Sequence, residues 1–572
     1  MTDLSETGRA ARPIDRSRLI YWGVASLTTV LVLGPILPIV TQAFLDKPLY
    51  DGTAGFTFEN FARLVREPGM AQVFFNTFYF GALTMIMAQV FGAVMAVLVG
   101  RTNLPGRKWM GEIFIWPLFV SNLVIAFGWF TMYGPSGFIT LAAKGWLGGA
   151  PWNLYSVTGM GIVAGLSQAP LTYLMCLAAV TKADPQLEDA ARSTGAGPFR
   201  ALWSVTIPMI RPALIYSAVL NFVVGIEMLA IPLLFGGPSG IQTVTTFLYD
   251  KGINAAVRPE YGIVGAAAII LLAIVAALVW LQGHLMKASG RFVTVRGKAS
   301  RPSTLDLGAW RWPAFAFVFA FVFFTILAIF GGIFLRSAVT FLTPLIPFWK
   351  VMTTANFDLV FGSSTYVRSI VNSVVVATVG AAIGSFFIAV VALIARRSDF
   401  RFRRPLEYVA LFPRSLPGII AGLGFFYAVL WLPGADLIRG TIFVLILAFM
   451  IRYIPVGFGA IAPALAQIGE ELDRGARISG ADWWTTVTRI ILPILKPALF
   501  SCYALLFIHF FKEYVTAAFL YQPGSEIIGT TMLQLVAQGD NGPVSALATI
   551  QVIITALFVI LARRLLGAKI YG

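Results

Sequence analysis

Cysteine, histidine and charge are all scarce in this chain. Of its 572 residues only two are cysteine and two are histidine. Cys176 and Cys502 both fall inside apolar runs, which argues against a disulfide framework or a cysteine-based metal site. His284 sits at the edge of an apolar run and His509 stands alone within one, so neither joins a metal or nucleophile cluster; His509 reads as a hydrogen-bonded packing residue. The pattern G-x-x-x-x-G-K-S/T is absent, and no aqueous stretch is large enough to hold a nucleotide, so neither ATP hydrolysis nor any cofactor is expected on this chain. Charged residues make up 12% of the chain against 58% hydrophobic, with a mean hydropathy of +0.81. That is too little polar surface for water-soluble domains and leaves an integral membrane protein.

What is present is a series of long apolar runs. A helix needs about 20 residues to cross a hydrocarbon core of ~30 Å. Runs of that length occur near 19–44, 72–100, 110–133, 153–182, 211–236 and 261–286, and again near 310–338, 366–395, 406–433, 440–466, 498–521 and 543–566. The expected architecture is therefore all-α, with twelve transmembrane helices. Four arginines, Arg9, Arg12, Arg16 and Arg18, precede the first run, which continues to Phe44 without a small-residue cleavage site and so reads as a retained span.

The formal net charge of +16 could point to nucleic acid, but its distribution points to a membrane. Basic residues collect on alternate connections: the N-terminal tail, Arg101 with Arg107 and Lys108, Arg192 with Arg200, and Lys287 through Arg301. They continue at Arg396 through Arg404, at Arg474 with Arg477 and Arg489, and at Arg563 with Arg564 and Lys569. One topology puts all of these in the cytoplasm, with both termini inside.

The two sets of runs are copies. Asn76, Arg101 and Pro117 recur as Asn372, Arg397 and Pro413 at an offset of 296 (372 − 76), while Gly195, Pro208 and Pro212 recur as Gly480, Pro493 and Pro497 at 285 (480 − 195). The second copy is thus 11 residues shorter (296 − 285) between its third and fourth spans, in an outside loop where length varies freely. Six spans per copy make the copies parallel. The expected layout is a cytoplasmic tail over 1–18, a first module over 19–286 and a basic cytoplasmic linker over 287–309. A second module follows over 310–566, then a tail over 567–572.

A charged, helix-breaking segment recurs at the same place in each module. In the first copy, over 184–212, Asp184 and Pro185 start a helix by capping and by a proline that loses no bond at the first turn. Glu188 and Asp189 follow where the helix dipole favours negative charge, the helix runs over Ala190 and Ala191, and Gly195 permits a turn. In the second copy, over 471–497, Gly480 makes the bend and Asp482 caps a helix opening with Trp483 and Trp484. These aromatics are expected either to enter a partner's pocket or to pack under the loop.

These segments resemble the EAA loop of permease subunits of bacterial ABC importers, whose pattern is Glu-Ala-Ala, three residues, Gly, nine residues, Ile, any residue, Leu-Pro. The first copy reads Asp189-Ala190-Ala191, Gly195, Val205, Ile207-Pro208. The second reads Arg474-Gly475-Ala476, Gly480, Ile490, Leu492-Pro493, with Asp473 one place early. The resemblance spans nearly the whole chain as two fused modules and implies a type I, binding-protein-dependent permease in a bacterial cytoplasmic membrane. It further implies that Glu188, Asp189, Ala190, Ala191, Gly195, Pro208, Asp473, Ala476, Gly480, Trp483 and Pro493 form coupling helices. Two cytoplasmic ABC ATPase subunits would dock there, and an extracytoplasmic solute-binding protein would deliver the solute. Fused modules of this kind resemble ferric iron permeases; thiamine, polyamine and phosphonate systems are alternatives.

Ionisable groups inside spans are costly and mark function or pairing. Glu227 in the fifth run and Glu513 in the eleventh are nearly symmetric, at an offset of 286 (513 − 227). Two readings stand side by side: with Arg452 they line a translocation path, or they pair across helices with Arg452 or Lys512. Arg452 and Arg414 have no charged counterparts, since Ser167 and Leu118 occupy those places. A secondary transporter driven by an ion gradient would use the buried acids but leaves the twin segments unexplained, and a membrane enzyme lacks a catalytic cluster.

Overall fold

The structure is a computed structural model. It describes residues 16–182, 190–191, 193–195, 197, 200, 202–253, 259–289, 304–431, 434 and 437–565. Among these residues it is helical, with no strand beyond isolated bridges. Ten helices are long and apolar enough to cross a membrane, and twelve when each of two bent pairs counts as one span. In chain order they are α1 (Arg18–Ala43), α2 (Met70–Arg101), α3 (Asn122–Leu147), α4 (Val157–Thr181), α5 (Trp203–Glu227) and α6 (Tyr261–Leu285). The second set is α7 (Gly308–Ser337), α8 (Ser364–Arg397), α9 (Arg403–Ser415 with Gly418–Trp431), α10 (Ile442–Arg452 with Ile454–Gln467), α11 (Trp483–Phe511) and α12 (Asn541–Arg564).

Three sequence expectations shift. The fifth and eleventh spans sit earlier than the apolar runs 211–236 and 498–521: their helices end at Glu227 and Phe511, Met228 leaves the first in extended backbone, and 228–231 are buried by neighbouring protein. Hydropathy alone does not separate a lipid-facing helix from a buried irregular segment. The run near 406–433 is two helices at 110°, and that near 440–466 two at 50°. Pro413 and Pro417 force the first break by removing backbone donors. The third run begins with a separate short helix, Arg107–Phe114, and a tight turn at Trp116–Phe119, so α3 itself starts at Asn122.

The repeat is visible atom by atom. Asn60 donates to the carbonyls of Ala43 and Leu45 (3.0 and 2.8 Å), and Asn356 donates to those of Ser337 and Val339 (both 3.0 Å). Asn76 reaches the carbonyl of Gln242 at 3.1 Å, and Asn372 reaches that of Glu526 at 2.9 Å. The backbone N–H of Val244 donates to Thr77 as that of Ile528 donates to Ser373 (2.9 and 2.8 Å). A π turn precedes Ile207 at Leu202–Thr206 and recurs before Leu492 at Val487–Ile491.

Each module has a core of three helices, α2 with α4 and α5, and α8 with α10 and α11. Glycine lets them close: a side chain on Gly225 would run into Gly81 of α2, and one on Gly380 would meet Phe510 at 2.9 Å. The first span of each module leans on the other module. Helix α1 packs on α8 and α9, and α7 packs on α3. Gly128 makes room for Ile329 and Ile333 of α7, and Gly424, its repeat mate, makes room for Pro35 and Ile39 of α1. The end of the linker is pinned to the turn after α2, where Leu305 N donates to Arg101 O at 2.7 Å and Asn103 N to Leu305 O at 3.1 Å.

Candidate functional site

Two constellations stand out, one at the basic end of the bundle and one where the modules meet. At the basic end, residues Glu470–Ile478 form a short helix that stops at Gly480, whose φ of +81° lies in the left-handed region. Ala481 N closes the turn on Ala476 O at 3.0 Å, and Ala476 itself is buried. Asp482, in extended backbone, then caps the next helix by accepting from Thr485 N at 2.9 Å. Hydrogen bonds from the Thr485 side chain and backbone hold its carboxyl below the usual aspartate range. Pro493 follows the π turn Val487–Ile491 as the second residue of the stretch Leu492–Phe511.

This bend is tied to the end of α8. Arg397 pairs with Asp473 at 2.6 Å, donates to Leu465 O at 2.7 Å and also reaches Ile468 O. Its own carbonyl accepts from the Trp483 indole at 2.9 Å. Arg397 was legible in sequence only as a repeat landmark, and its role needs the fold, since 76 residues separate it from Asp473. The two tryptophans differ in their surroundings. Trp483 packs under the loop, edge-on to Tyr21 with centroids 5.1 Å apart, whereas Trp484 is 44% exposed. Leu472 and Ile478 are also exposed.

In the first copy Ala190 and Ala191 are helical, Thr194 N bonds Ala190 O at 3.3 Å, and Gly195 turns at φ +90°. Pro208 is the second residue of the helix Ile207–Glu227. Glu188 and Asp189 lie outside the described residues.

The second constellation lies at the ends of α5 and α11. Glu513 accepts from Arg452 Nη1 at 3.0 Å, from Thr516 N at 2.9 Å and from the Tyr453 hydroxyl. Arg452 also donates to Thr516 Oγ1 at 2.6 Å, and a side chain at Gly418 would occupy the space of its guanidinium. Arg452 is the last residue before the 50° break in α10, so the pair ties that break to the end of α11. Glu227 is the final residue of its helix, half-buried, and within electrostatic range of both Arg452 and Glu513. The three sequence candidates are therefore gathered, Glu227 and Glu513 at the ends of their spans and Arg452 at the break within α10. His509 packs on Tyr453 with centroids 4.7 Å apart, and its Nδ1 finds no hydrogen bond. Among the described residues no group of three or more histidine, cysteine or acidic side chains is arranged to hold a metal ion.

The modules are stitched together around this cluster. Lys512 donates to Leu118 O at 2.7 Å, Ser121 to Gln551 at 3.3 Å, and Ala230 N to the Tyr514 hydroxyl at 3.2 Å. Arg414 reaches Tyr216 and Gln282 at 2.8 and 2.9 Å. The cations that lack a charged repeat mate thus act across the module boundary or at a helix break.

A family model described as binding-protein-dependent transport system inner membrane component matches the chain twice, over residues 90–289 and 380–569. The ferric transport system permease protein FbpB of Actinobacillus pleuropneumoniae is 24% identical over 538 residues, covering 93% of this chain and 76% of that one. A putative ferric transport system permease protein, FbpB 1 of Haemophilus influenzae, is 26% identical over 489 residues, covering 84% and 74%. The molybdenum transport system permease protein ModB of Escherichia coli is 25% identical over 218 residues, 37% of this chain and 92% of that one. Two matched modules, each with its glycine bend at the same end of a helical repeat, place the chain in the family of binding-protein-dependent inner membrane transport components, as a fused two-module permease of a type I ABC importer.

Proposed function

We propose that this permease carries ferric iron into the cell, driven by two ATPase subunits that dock on the bends at Gly195 and Gly480 and supplied by a solute-binding protein on the opposite face. The observation that carries the coupling reading is the twin helix–glycine–helix bend, with Leu472, Ile478 and Trp484 exposed in the second copy. Exposed large apolar side chains beside charged residues suit docking to another protein. The clamp of Arg397 on Asp473 would then pass a push on the bend directly to α8. In this reading the basic end, both termini and the linker face the cytoplasm.

The iron reading is supported by the ferric relatives, which align across both modules, while the molybdenum relative has the length of one. The decisive test is reconstitution of the permease with its ATPase subunits and binding protein in proteoliposomes. ATP-dependent uptake of ferric ion presented on the binding protein is the expected result. Uptake that proceeds without ATP and follows an ion gradient overturns the coupling reading; ATP-driven uptake of molybdate with none of ferric ion overturns the cargo reading.

A further inference from the structure

The two acids that sequence symmetry pairs are not equivalent in the fold. Glu513 is 4% exposed and every contact around it is filled: Arg452, Tyr453, and the backbone of Thr516. Its charge is cancelled by Arg452, which is in turn held by Thr516, and Thr516 bonds Gly418 O at 3.3 Å. At the corresponding places of the first module stand Ser167, Gln168 and Asn122. Ser167 turns back onto its own helix at Val163 O (2.7 Å), and Gln168 bonds Asn122 at 3.4 Å. No cation of the first module comes to Glu227, which makes no hydrogen bond or ion pair among the described residues; Arg452 of the second module is within electrostatic range but bonds Glu513 instead.

A carboxylate in the span region that no hydrogen bond or ion pair satisfies is expensive unless it faces water or a passing ligand. Glu227 also lies where the modules meet: three residues on, Ala230 N bonds Tyr514 of the other module. A group on that boundary changes its surroundings whenever the modules move against each other. We infer that Glu227 alone is the cargo-facing carboxylate of the pair, and that Glu513 is withdrawn into a structural lock with Arg452. This deepens the import function proposed above and rests on it. The cargo class that a single unpaired carboxylate favours is a cation or a neutral donor-rich complex, and it disfavours oxyanions, whose charge it would repel.

The assembled complex, permease with both ATPase subunits and the binding protein in proteoliposomes, tests this. For Glu227→Gln, ferric uptake should fall about ten-fold, the scale of one lost charge contact, with thermal stability unchanged. Glu513→Gln alone should fail to accumulate, because it leaves Arg452 buried and unpaired, whereas Arg452→Met combined with Glu513→Gln should fold and keep uptake. A second readout does not depend on the cargo. In Glu227→Cys, a charged, membrane-impermeant thiol reagent should label the new cysteine in one of the nucleotide-free and ATP-trapped states, against the silent background of buried Cys176 and Cys502.

Full ferric uptake by Glu227→Gln overturns the inference, as does a folded double variant that loses uptake, and so does a cysteine at 227 that stays unlabelled in both states. A wild-type complex that carries molybdate and no ferric ion overturns the iron reading instead. The place of Glu227 on the path then stands or falls on the labelling alone.

Discussion

Gly195 and Gly480 sit at φ +90° and +81°, a conformation that costs a residue with a Cβ about 1–2 kcal/mol. Gly480→Ala should therefore weaken its turn by that amount, read as a small drop in thermal stability and a partial loss of coupled ATP hydrolysis. Gly195→Pro is more severe, because proline holds φ near about −65°. It should abolish uptake while leaving most of the protein in the membrane; normal uptake with normal ATPase binding contradicts the coupling role. Asp482 gives a pH expectation. Its carboxyl is held below the usual range by Thr485, so the cap is fully present above the ordinary aspartate value of ~3.9 and is lost as pH falls through the lower, folded value. Coupled ATP hydrolysis should thus show no Asp482-dependent change around neutrality. A difference between wild type and Asp482→Asn that grows from pH ~6 to ~8, far above that range, would refute the assignment.

At the level of whole helices, the crossings at Gly128 and Gly424 hold the modules together. Each glycine lies under the first span of the opposite module, where close backbone approach supplies the dispersion contact that lipid cannot replace. Gly128→Leu and Gly424→Leu should each displace that span and cost about 1–3 kcal/mol of packing. The measurement is detergent-resistant association of the two modules after protease cleavage of the linker. Leucine at Gly459, which nothing approaches within 4 Å, serves as the control and should leave association intact. The broken α9 and α10 make a related point. Pro170 and Pro455 are repeat mates, yet α4 runs through its proline while α10 breaks at Tyr453. The difference lies in Arg452, which reaches to Glu513 and Thr516 at the break.

For the molecule as a whole, the exchange of first spans makes the two modules interdependent although one linker joins them. Chains ending and restarting between 290 and 303, expressed together, should reassemble and restore ATP-dependent uptake, since the contacts of α1 with α8 and α9 and of α7 with α3 do not pass through the linker. Either half expressed alone should fail to accumulate, because its third span, α3 or α9, loses the helix that covers it. Reassembly that fails although both halves are stable would show that the linker itself does more than tether.

Fold class, span number, the twofold repeat and the position of both bends were legible in the residues. They rest on local or one-dimensional signals: the length of apolar runs, alternation of basic loops, and glycine and proline at fixed offsets. Helix ends were less legible, because 228–236 is as apolar as a span and only its burial within the protein distinguishes it. The acids were found by symmetry, but symmetry also made them look alike. Which one is cancelled depends on where the 50° break in α10 leaves Arg452, and Arg397 becomes a clamp only once α8 ends beside Asp473. Local chemistry thus determined the elements and their repetition. Partners for charge were decided only by tertiary packing, since an ion pair is set by distance in space and not by spacing along the chain.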